Sequence, residues 1–314
     1  MRILITGGFG YVGGRLGKHL AALGHEVYLG SRSPKSPPDW LKPVVVVEMD
    51  WNDEVSLAGA CDKMDAVVHA SGMNSVECAV NPALALEVNG MATNRLVQAA
   101  EKKLVANFIY LSSAHVYSSN LRGLITEDTE LTNTHPYASS NAAGEGETLN
   151  HVSKKAMQTS VVRLANAFGA PLDSEVNCWM LVINDLCRQA ARNKQLEVRG
   201  PSNIVRNFIT MEDVCLAIEH LIGNSQKLLP RRIFNLGGRT KSLLEMAHAI
   251  SGIYESERGV ILPIKELSAP NKHVSDLDFR SLAFQKIGWY PTSNFRKELC
   301  ELINFCEINF GSKK

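Results

Sequence analysis

The first residues able to do chemistry are built for phosphate. Gly7, Gly10 and Gly13 recur at three-residue spacing between an apolar run, Ile3 to Ile5, and an amphipathic segment, Tyr11 to Leu23, that stops at Gly24. Strand, glycine turn and helix in that order predict a dinucleotide-binding unit. The first glycine permits the tight turn, and the second lets the backbone approach a pyrophosphate. The third lets helix pack close to strand, and the helix N-terminus faces the anion. Tyr11 and Val12 belong to the same turn and are candidate contacts. The next strand, His25 to Leu29, runs into Gly30-Ser31-Arg32-Ser33. An NAD-binding fold places a carboxylate on the adenosine ribose here. Ser31 and Arg32 stand there instead, a hydroxyl donor and a guanidinium fork suited to a 2′-phosphate. NADP is therefore the expected cofactor, with NAD as the alternative. Asp50 and Trp51 follow the β-branched run Val44 to Val47 and are placed to border the adenine. For Asp50 a cap on the next short helix is an equal reading. Ala70 and Ser71, after the strand Ala66 to Ala70, complete the candidate cofactor set.

The second set lies mid-chain. Ser112 and Ser113 end the strand that starts at Phe108, and the carboxyl ends of strands are where open α/β sheets bind ligands. Tyr137 opens the following helix, with Asn141 four residues on. Residues four apart share a helix face, so both point into one cleft.

The elements that position these residues alternate. Strands at 3–5, 25–29, 44–47, 66–70, 108–112 and 159–164 are separated by helical segments, notably Pro82 to Lys102 and Tyr137 to about Met157. That order predicts an α/β fold with a doubly wound parallel sheet. Val44 to Val47 reads as a central strand covered on both faces. Gly144 and Gly146 weaken their helix by about 1 kcal/mol each relative to alanine, and permit close packing against another helix or subunit. Regularity falls after Gly169, where helices at 179–193, 212–222, 243–251 and 295–305 alternate with short strands at 196–199 and 233–236. The expected division is a dinucleotide-binding domain over 1–168. Residues 169–314 form mainly a smaller substrate lobe, with some elements returning to the sheet.

At 314 residues and net charge +1, the chain can bury a large core, and nothing marks it for nucleic acid or an anionic membrane. Seven scattered cysteines, never in a C-x-x-C pair, fit reduced core thiols in the cytoplasm better than disulfides or a metal site. The chain opens directly on strand and turn, which leaves no room for a signal peptide, and no apolar run approaches a membrane span.

With these residues the chain resembles the extended short-chain dehydrogenase/reductases, in the branch that modifies nucleotide sugars. Thr6-Gly-Gly-Phe-Gly-Tyr-Val-Gly13 resembles the cofactor turn. Leu111-Ser-Ser-Ala-His-Val-Tyr117 resembles the serine motif and places the catalytic hydroxyl on Ser113. Tyr137-Ala-Ser-Ser-Asn141 occupies the Tyr-x-x-x-Lys position, and Glu145 matches a further usual carboxylate. Arg163-Leu-Ala-Asn-Ala-Phe-Gly169 and Arg206-Asn-Phe-Ile-Thr-Met-Glu-Asp213 resemble segments whose Asn166 and Arg206 would hold a substrate diphosphate. The resemblance implies hydride transfer to or from a nucleotide-diphosphate sugar through a 4-keto sugar, by a reductase or an epimerase. Tyr137 exchanges the proton and Ser113 hydrogen-bonds the same oxygen. It also implies a homodimer through the helices at 82–102 and 137–157.

Two departures follow. Asn141 replaces the lysine whose charge would lower the tyrosine pKa, and Lys154 and Lys155 lie too far along to substitute. His115 and Ala114 stand where dehydratases of the 4,6 type carry an Asp-Glu pair, which argues against that reaction. His115 is kept as a candidate substrate contact and proton donor. A catalytically impaired, NADP(H)-binding module is the competing expectation.

Overall fold

The structure is a computed structural model that describes residues 1–41, 43–150, 157–224, 232–270 and 276–311. Seven strands form its main sheet: β1 (Arg2–Thr6), β2 (Glu26–Ser31), β3 (Val45–Glu48), β4 (Ala66–His69), β5 (Asn107–Ser113), β6 (Gln158–Leu164) and β7 (Ile233–Leu236). Their order is β7-β6-β5-β4-β1-β2-β3, and all neighbours run parallel. Strand side chains alternate between faces, and the core follows. Ile3, Ile5, Ala66, Val68 and Ile109 join Leu16 and Leu20 on one side. Leu4, Val67, Phe108 and Tyr110 join Leu57, Leu96 and Val97 on the other. Two covered faces are what a parallel sheet requires, so the doubly wound expectation holds.

Two expectations need correction. The run Val44 to Val47 is not central: among the described residues β3 is the sheet edge, paired only with β2, and Val45 is 48% exposed. Its β-branched residues suit an edge strand as well as a covered one, so composition could not separate the two. The stretch Pro82 to Lys102 is not one regular helix. It comprises Pro82–Leu86, a π-helical turn at Glu87–Met91, and Ala92–Lys102. A π-turn inserts one residue and rotates the face, so Leu96, Ala99 and Ala100 are buried while Leu84 and Met91 are exposed. The helix bearing Tyr137 is described over Pro136–Asn150; Lys154 and Lys155 lie outside the described residues.

After Phe168 the chain builds a second core from Ile183, Leu186, Leu196, Phe208, Ile250, Leu299 and Leu302. The helix Met211–Gly223, and Phe284 and Trp289, instead pack on the main sheet. Three small sheets flank these elements. Asn166–Phe168 pairs with Val205–Thr210, which pairs with Arg239–Ser242; Leu196–Pro201 pairs with Ile264–Ser268; Gly123–Ile125 pairs with Leu277–Phe279. Six of the seven cysteines are buried and all are free thiols. Among the described residues no helix is long and apolar enough to cross a membrane, and no cluster of three or more His, Cys, Asp or Glu is arranged to hold a metal.

Candidate functional site

The glycine turn joins β1 to the helix Tyr11–Ala22. Gly7 sits at φ +66°, a left-handed conformation in which a Cβ would come 2.8 Å from the Ala70 carbonyl oxygen. A Cβ on Gly13 would fall 2.3 Å from the Gly7 carbonyl oxygen, so this glycine sets how closely helix and turn approach. Gly10 caps the helix without a side chain, and no carboxylate occupies the first helical turn. The free amides and the positive helix end are thus left for an anion. This cradle fits a pyrophosphate.

A cleft of about 660 Å³ opens beside the turn and brings together Gly7, Gly10, Ser31, Arg32, Trp51, Ala70 and Ser71. Not every candidate reaches it. The Tyr11 phenol turns away to donate to the Gly169 carbonyl at 2.8 Å. Val12 packs on the core, and Gly13 is buried behind the turn. Asp50 accepts the Asn52 amide at 2.9 Å in a local turn, and Asp53 caps the helix Glu54–Ala60. Ser31 donates to the Ser33 carbonyl at 2.7 Å, which closes the loop after β2. Arg32 stands exposed at the cleft edge. The structure adds Lys35, whose ammonium lies 4.6 Å from the Phe9 ring centroid, and Arg95, which donates to the Trp51 carbonyl at 2.7 Å. Both line the cleft. Lys35 sits in a proline-rich loop and Arg95 on a distant helix, so neither carried a local motif.

The cleft floor rests on a residue with no motif at all. His69, 1% exposed, accepts at Nδ1 from Thr6 (2.6 Å) and donates from Nε2 to Thr93 (3.1 Å). That tautomer follows because the Thr93 hydroxyl is already donated to the Asn89 carbonyl. Thr6 in turn accepts the amides of Ala70 and Ser71, both at 3.2 Å. Burial pushes the imidazole down to about 3, so it is neutral at physiological pH.

Ser113 ends β5 and Tyr137 opens the facing helix. The Ser113 hydroxyl interacts with the phenol and pulls its pKa down, but burial outweighs this and holds the phenol above its ordinary value of 10. Asn141 is 6% exposed. Its Nδ2 donates back to the Tyr137 carbonyl at 2.7 Å, and its Oδ1 accepts from the Tyr110 hydroxyl at 3.3 Å. Both ends of the amide are therefore engaged within the protein. Gly144 makes this arrangement possible: a Cβ there would lie 2.5 Å from the Tyr110 hydroxyl and 2.4 Å from the Asn89 carbonyl oxygen. One turn on, Glu145 meets Arg163 through two-pronged hydrogen bonds of 2.6–3.1 Å and accepts from Ser112 at 2.5 Å. Arg163 continues to Tyr117 and Tyr117 to Asn235 in β7, all buried. This satisfied ionic network pins the Tyr137 helix to the neighbour of Ser113.

Asn166 donates to the Asn207 carbonyl at 2.9 Å across its strand pair. Arg206 is one residue away on the same strand and has no carboxylate partner among the described residues; burial lowers its pKa. Burial, then Arg206 and His135, lower the pKa of His115 from its ordinary value. Asn133 links the two histidine segments, donating to the His115 carbonyl and accepting from the His135 amide. His135 itself accepts the Tyr137 amide at 3.2 Å. Asn207 has no motif signal either; its amide holds the Gly238 turn.

Comparison with known proteins gives the family. The NAD dependent epimerase/dehydratase family matches residues 3–237. A dTDP-glucose 4,6-dehydratase of Streptomyces niveus is 25% identical over 265 residues, covering 80% of this chain and 76% of the relative. A UDP-glucose 4-epimerase of Haemophilus influenzae is 27% identical over 339 residues, covering 98% of each chain. The solved structure of RMD from Pseudomonas aeruginosa complexed with NADPH superposes with a TM-score of 0.78 at 24% identity, covering 98% of this chain and 99% of that one. The glycine cradle, the Ser113–Tyr137 pair and the family match over residues 3–237 lead to one conclusion: this chain belongs to the NAD dependent epimerase/dehydratase family, within the extended short-chain dehydrogenase/reductases.

Proposed function

We propose that the protein is an NADP(H)-dependent reductase of a 4-keto nucleotide sugar, with epimerisation through the same keto sugar as the related activity. The observation that carries this reading is the pairing of Ser113 with a Tyr137 phenol held protonated by burial. A buried neutral phenol is a proton donor. Reduction of a carbonyl needs a donor at its oxygen, whereas oxidation of a hydroxyl needs a base there first. Without a lysine at position 141, the Ser113 hydroxyl is left to favour the ionised form, and burial outweighs it. The nicotinamide supplies hydride when bound. Tyr137 then gives its proton to the former carbonyl oxygen, which Ser113 holds by a hydrogen bond.

Arg32 and Lys35 support a 2′-phosphate at the adenosine end, where no carboxylate follows β2. Arg206, free of any described carboxylate, and Asn166 support a diphosphate grip on the substrate side. His115 lies near Arg206 and adds an imidazole that can hydrogen-bond the substrate. The division 1–168 and 169–314 accords with the two cores. Val76, Val80, Leu86 and Met91 are 47–81% exposed on the helical stretch 75–91, which supports a homodimer through that surface. A cytoplasmic location fits the buried free thiols.

A second reading has its own observation. Because the Asn141 amide is buried, carries no charge and already makes a hydrogen bond at each end, it offers a cofactor ribose and the phenol less than a lysine would, and the chain would then bind NADP(H) without turnover. Incubating the protein and NADPH with dTDP- and GDP-linked 4-keto-6-deoxy sugars separates the two. Loss of NADPH absorbance supports the reductase. Tight NADPH binding with no oxidation by any such sugar sinks it in favour of the binding module.

A further inference from the structure

One residue after the glycine turn, the chain ties itself to the opposite lobe. Tyr11 donates to the Gly169 carbonyl at 2.8 Å, and Asn184, fully buried, donates to the same oxygen at 3.2 Å. Tyr11 and Asn184 also lie within hydrogen-bonding reach of each other, at 3.4 Å. One helical turn on, Arg15 donates to the Ala170 carbonyl at 2.7 Å and pairs with Glu298 at 3.1 Å. Glu298 is 1% exposed and accepts the Glu212 amide at 3.2 Å. It sits so close to the crossing chain that a Cβ on Gly169 would fall 2.1 Å from its Oε1.

The joint therefore gathers four elements on two peptide units: the helix of the glycine turn, the helix Val182–Asn193, the helix Met211–Gly223 and the C-terminal helix Phe295–Phe310. Those peptide units directly follow the strand Asn166–Phe168. That strand is in register with the one carrying Arg206, Phe208 opposite Asn166. From Gly10 to the substrate-side residues the path is one residue to Tyr11, one hydrogen bond to Gly169, and the strand pair Asn166–Phe168 with Phe208–Thr210, whose strand carries Arg206 two residues before Phe208. A buried polar joint of this kind has few alternative arrangements, since breaking one bond leaves a buried group without a partner.

The geometry points to Tyr11 as a positioning residue that couples the two ligand sites. A dinucleotide on the helix N-terminus fixes the Gly169–Ala170 crossing and so raises the affinity of the lobe for a nucleoside diphosphate, and the reverse holds equally. This rests on the nucleotide-sugar reading above.

The test is calorimetric binding of UDP, dTDP, GDP and ADP to the full chain, with and without saturating NADPH. The wild type should bind at least one of them about fivefold or more tighter with NADPH present, the lower end of ordinary coupling. Tyr11→Phe, which removes one oxygen, and Glu298→Gln should each bring that ratio below about twofold. The ratio is its own reference, so a change in either single affinity does not imitate the effect. A second measurement needs no variant: amide exchange at Gly169 and Ala170 should slow when NADPH alone is added. An unchanged ratio in both variants, or a wild-type ratio of one with both ligands bound, overturns the coupling and leaves the functional reading standing. Binding of none of the four diphosphates overturns that reading and the coupling with it.

Discussion

The Tyr110 hydroxyl donates to the Asn141 carboxamide at 3.3 Å, and this one contact accounts for much of what sets the site apart. It lies inside the sheet-to-helix interface, where Tyr110 is 2% exposed and held protonated by burial. An amide suits that partner and a lysine ammonium does not, because the hydroxyl is a donor here. Asn141→Lys should therefore break the contact and turn the new side chain toward the cleft. The added charge should lower the Tyr137 pKa by on the order of one unit or more. A pH profile of sugar oxidation by NADP⁺ reads this directly: the ascending limb, set by ionisation of the phenol, should move to lower pH in the variant. A profile that stays in place would show that position 141 does not face the phenol.

At the adenosine end, charge alone should decide the cofactor. Removing Arg32 or Lys35 deletes a charge-assisted contact of about 1.5–3 kcal/mol, or roughly 10- to 100-fold in affinity. Arg32→Ala and Lys35→Ala should each weaken NADPH by that factor in fluorescence titrations and leave NADH nearly unchanged. Equal losses for both cofactors would place these residues on the pyrophosphate instead.

Gly13→Ala tests the turn itself. Its methyl would meet the Gly7 carbonyl at 2.3 Å, and backbone cannot swing aside as a side chain can. Overpacking of this kind costs about 1–3 kcal/mol. Thermal unfolding should show the loss, with dinucleotide binding weakened in parallel. Gly146→Ala is the control, since its Cβ would meet nothing closer than 3.9 Å.

His69 gives the fold a pH dependence of known sign. Its folded pKa of about 3 lies below the ordinary 6.5, so below pH 6.5 the unfolded chain takes up a proton that the folded chain refuses. Stability is complete above pH 6.5 and falls from there toward pH 3, by up to about 1.4 kcal/mol per pH unit from this residue. Urea unfolding of wild type and His69→Gln between pH 4.5 and 7.5 should show a steeper slope in the wild type. Parallel slopes would mean that His69 is protonated in the fold.

What the sequence made legible follows from how local each signal is. Gly7, Gly10 and Gly13 act through neighbouring backbone, so their spacing announces the turn. Ser113 ends an apolar strand and Tyr137 begins the helix that follows, so their facing positions at the strand and helix ends could be read. Tyr11 looked like a cofactor contact by position alone. Its partner Gly169 is 158 residues away, and no short window holds that pairing. The same holds for Thr6, His69 and Thr93, and for Lys35 and Arg95, which meet at the cleft only through the sheet order. The π-turn at Glu87–Met91 is a rotation of one residue within a helix-forming stretch, and composition does not register it. Position 141 was flagged as asparagine from the sequence, but its engagement with Tyr110 depends on Gly144 opening the space between them.

The most direct test is isotopic. NADPH carrying deuterium at the transferable position of the nicotinamide is incubated with the protein and a 4-keto nucleotide sugar, and the product is examined by mass spectrometry. The account predicts a sugar heavier by one deuterium at C4, formed by the wild type and reduced about 10²- to 10⁴-fold in Tyr137→Phe. Product formed without deuterium, or equal transfer by Tyr137→Phe, would contradict it.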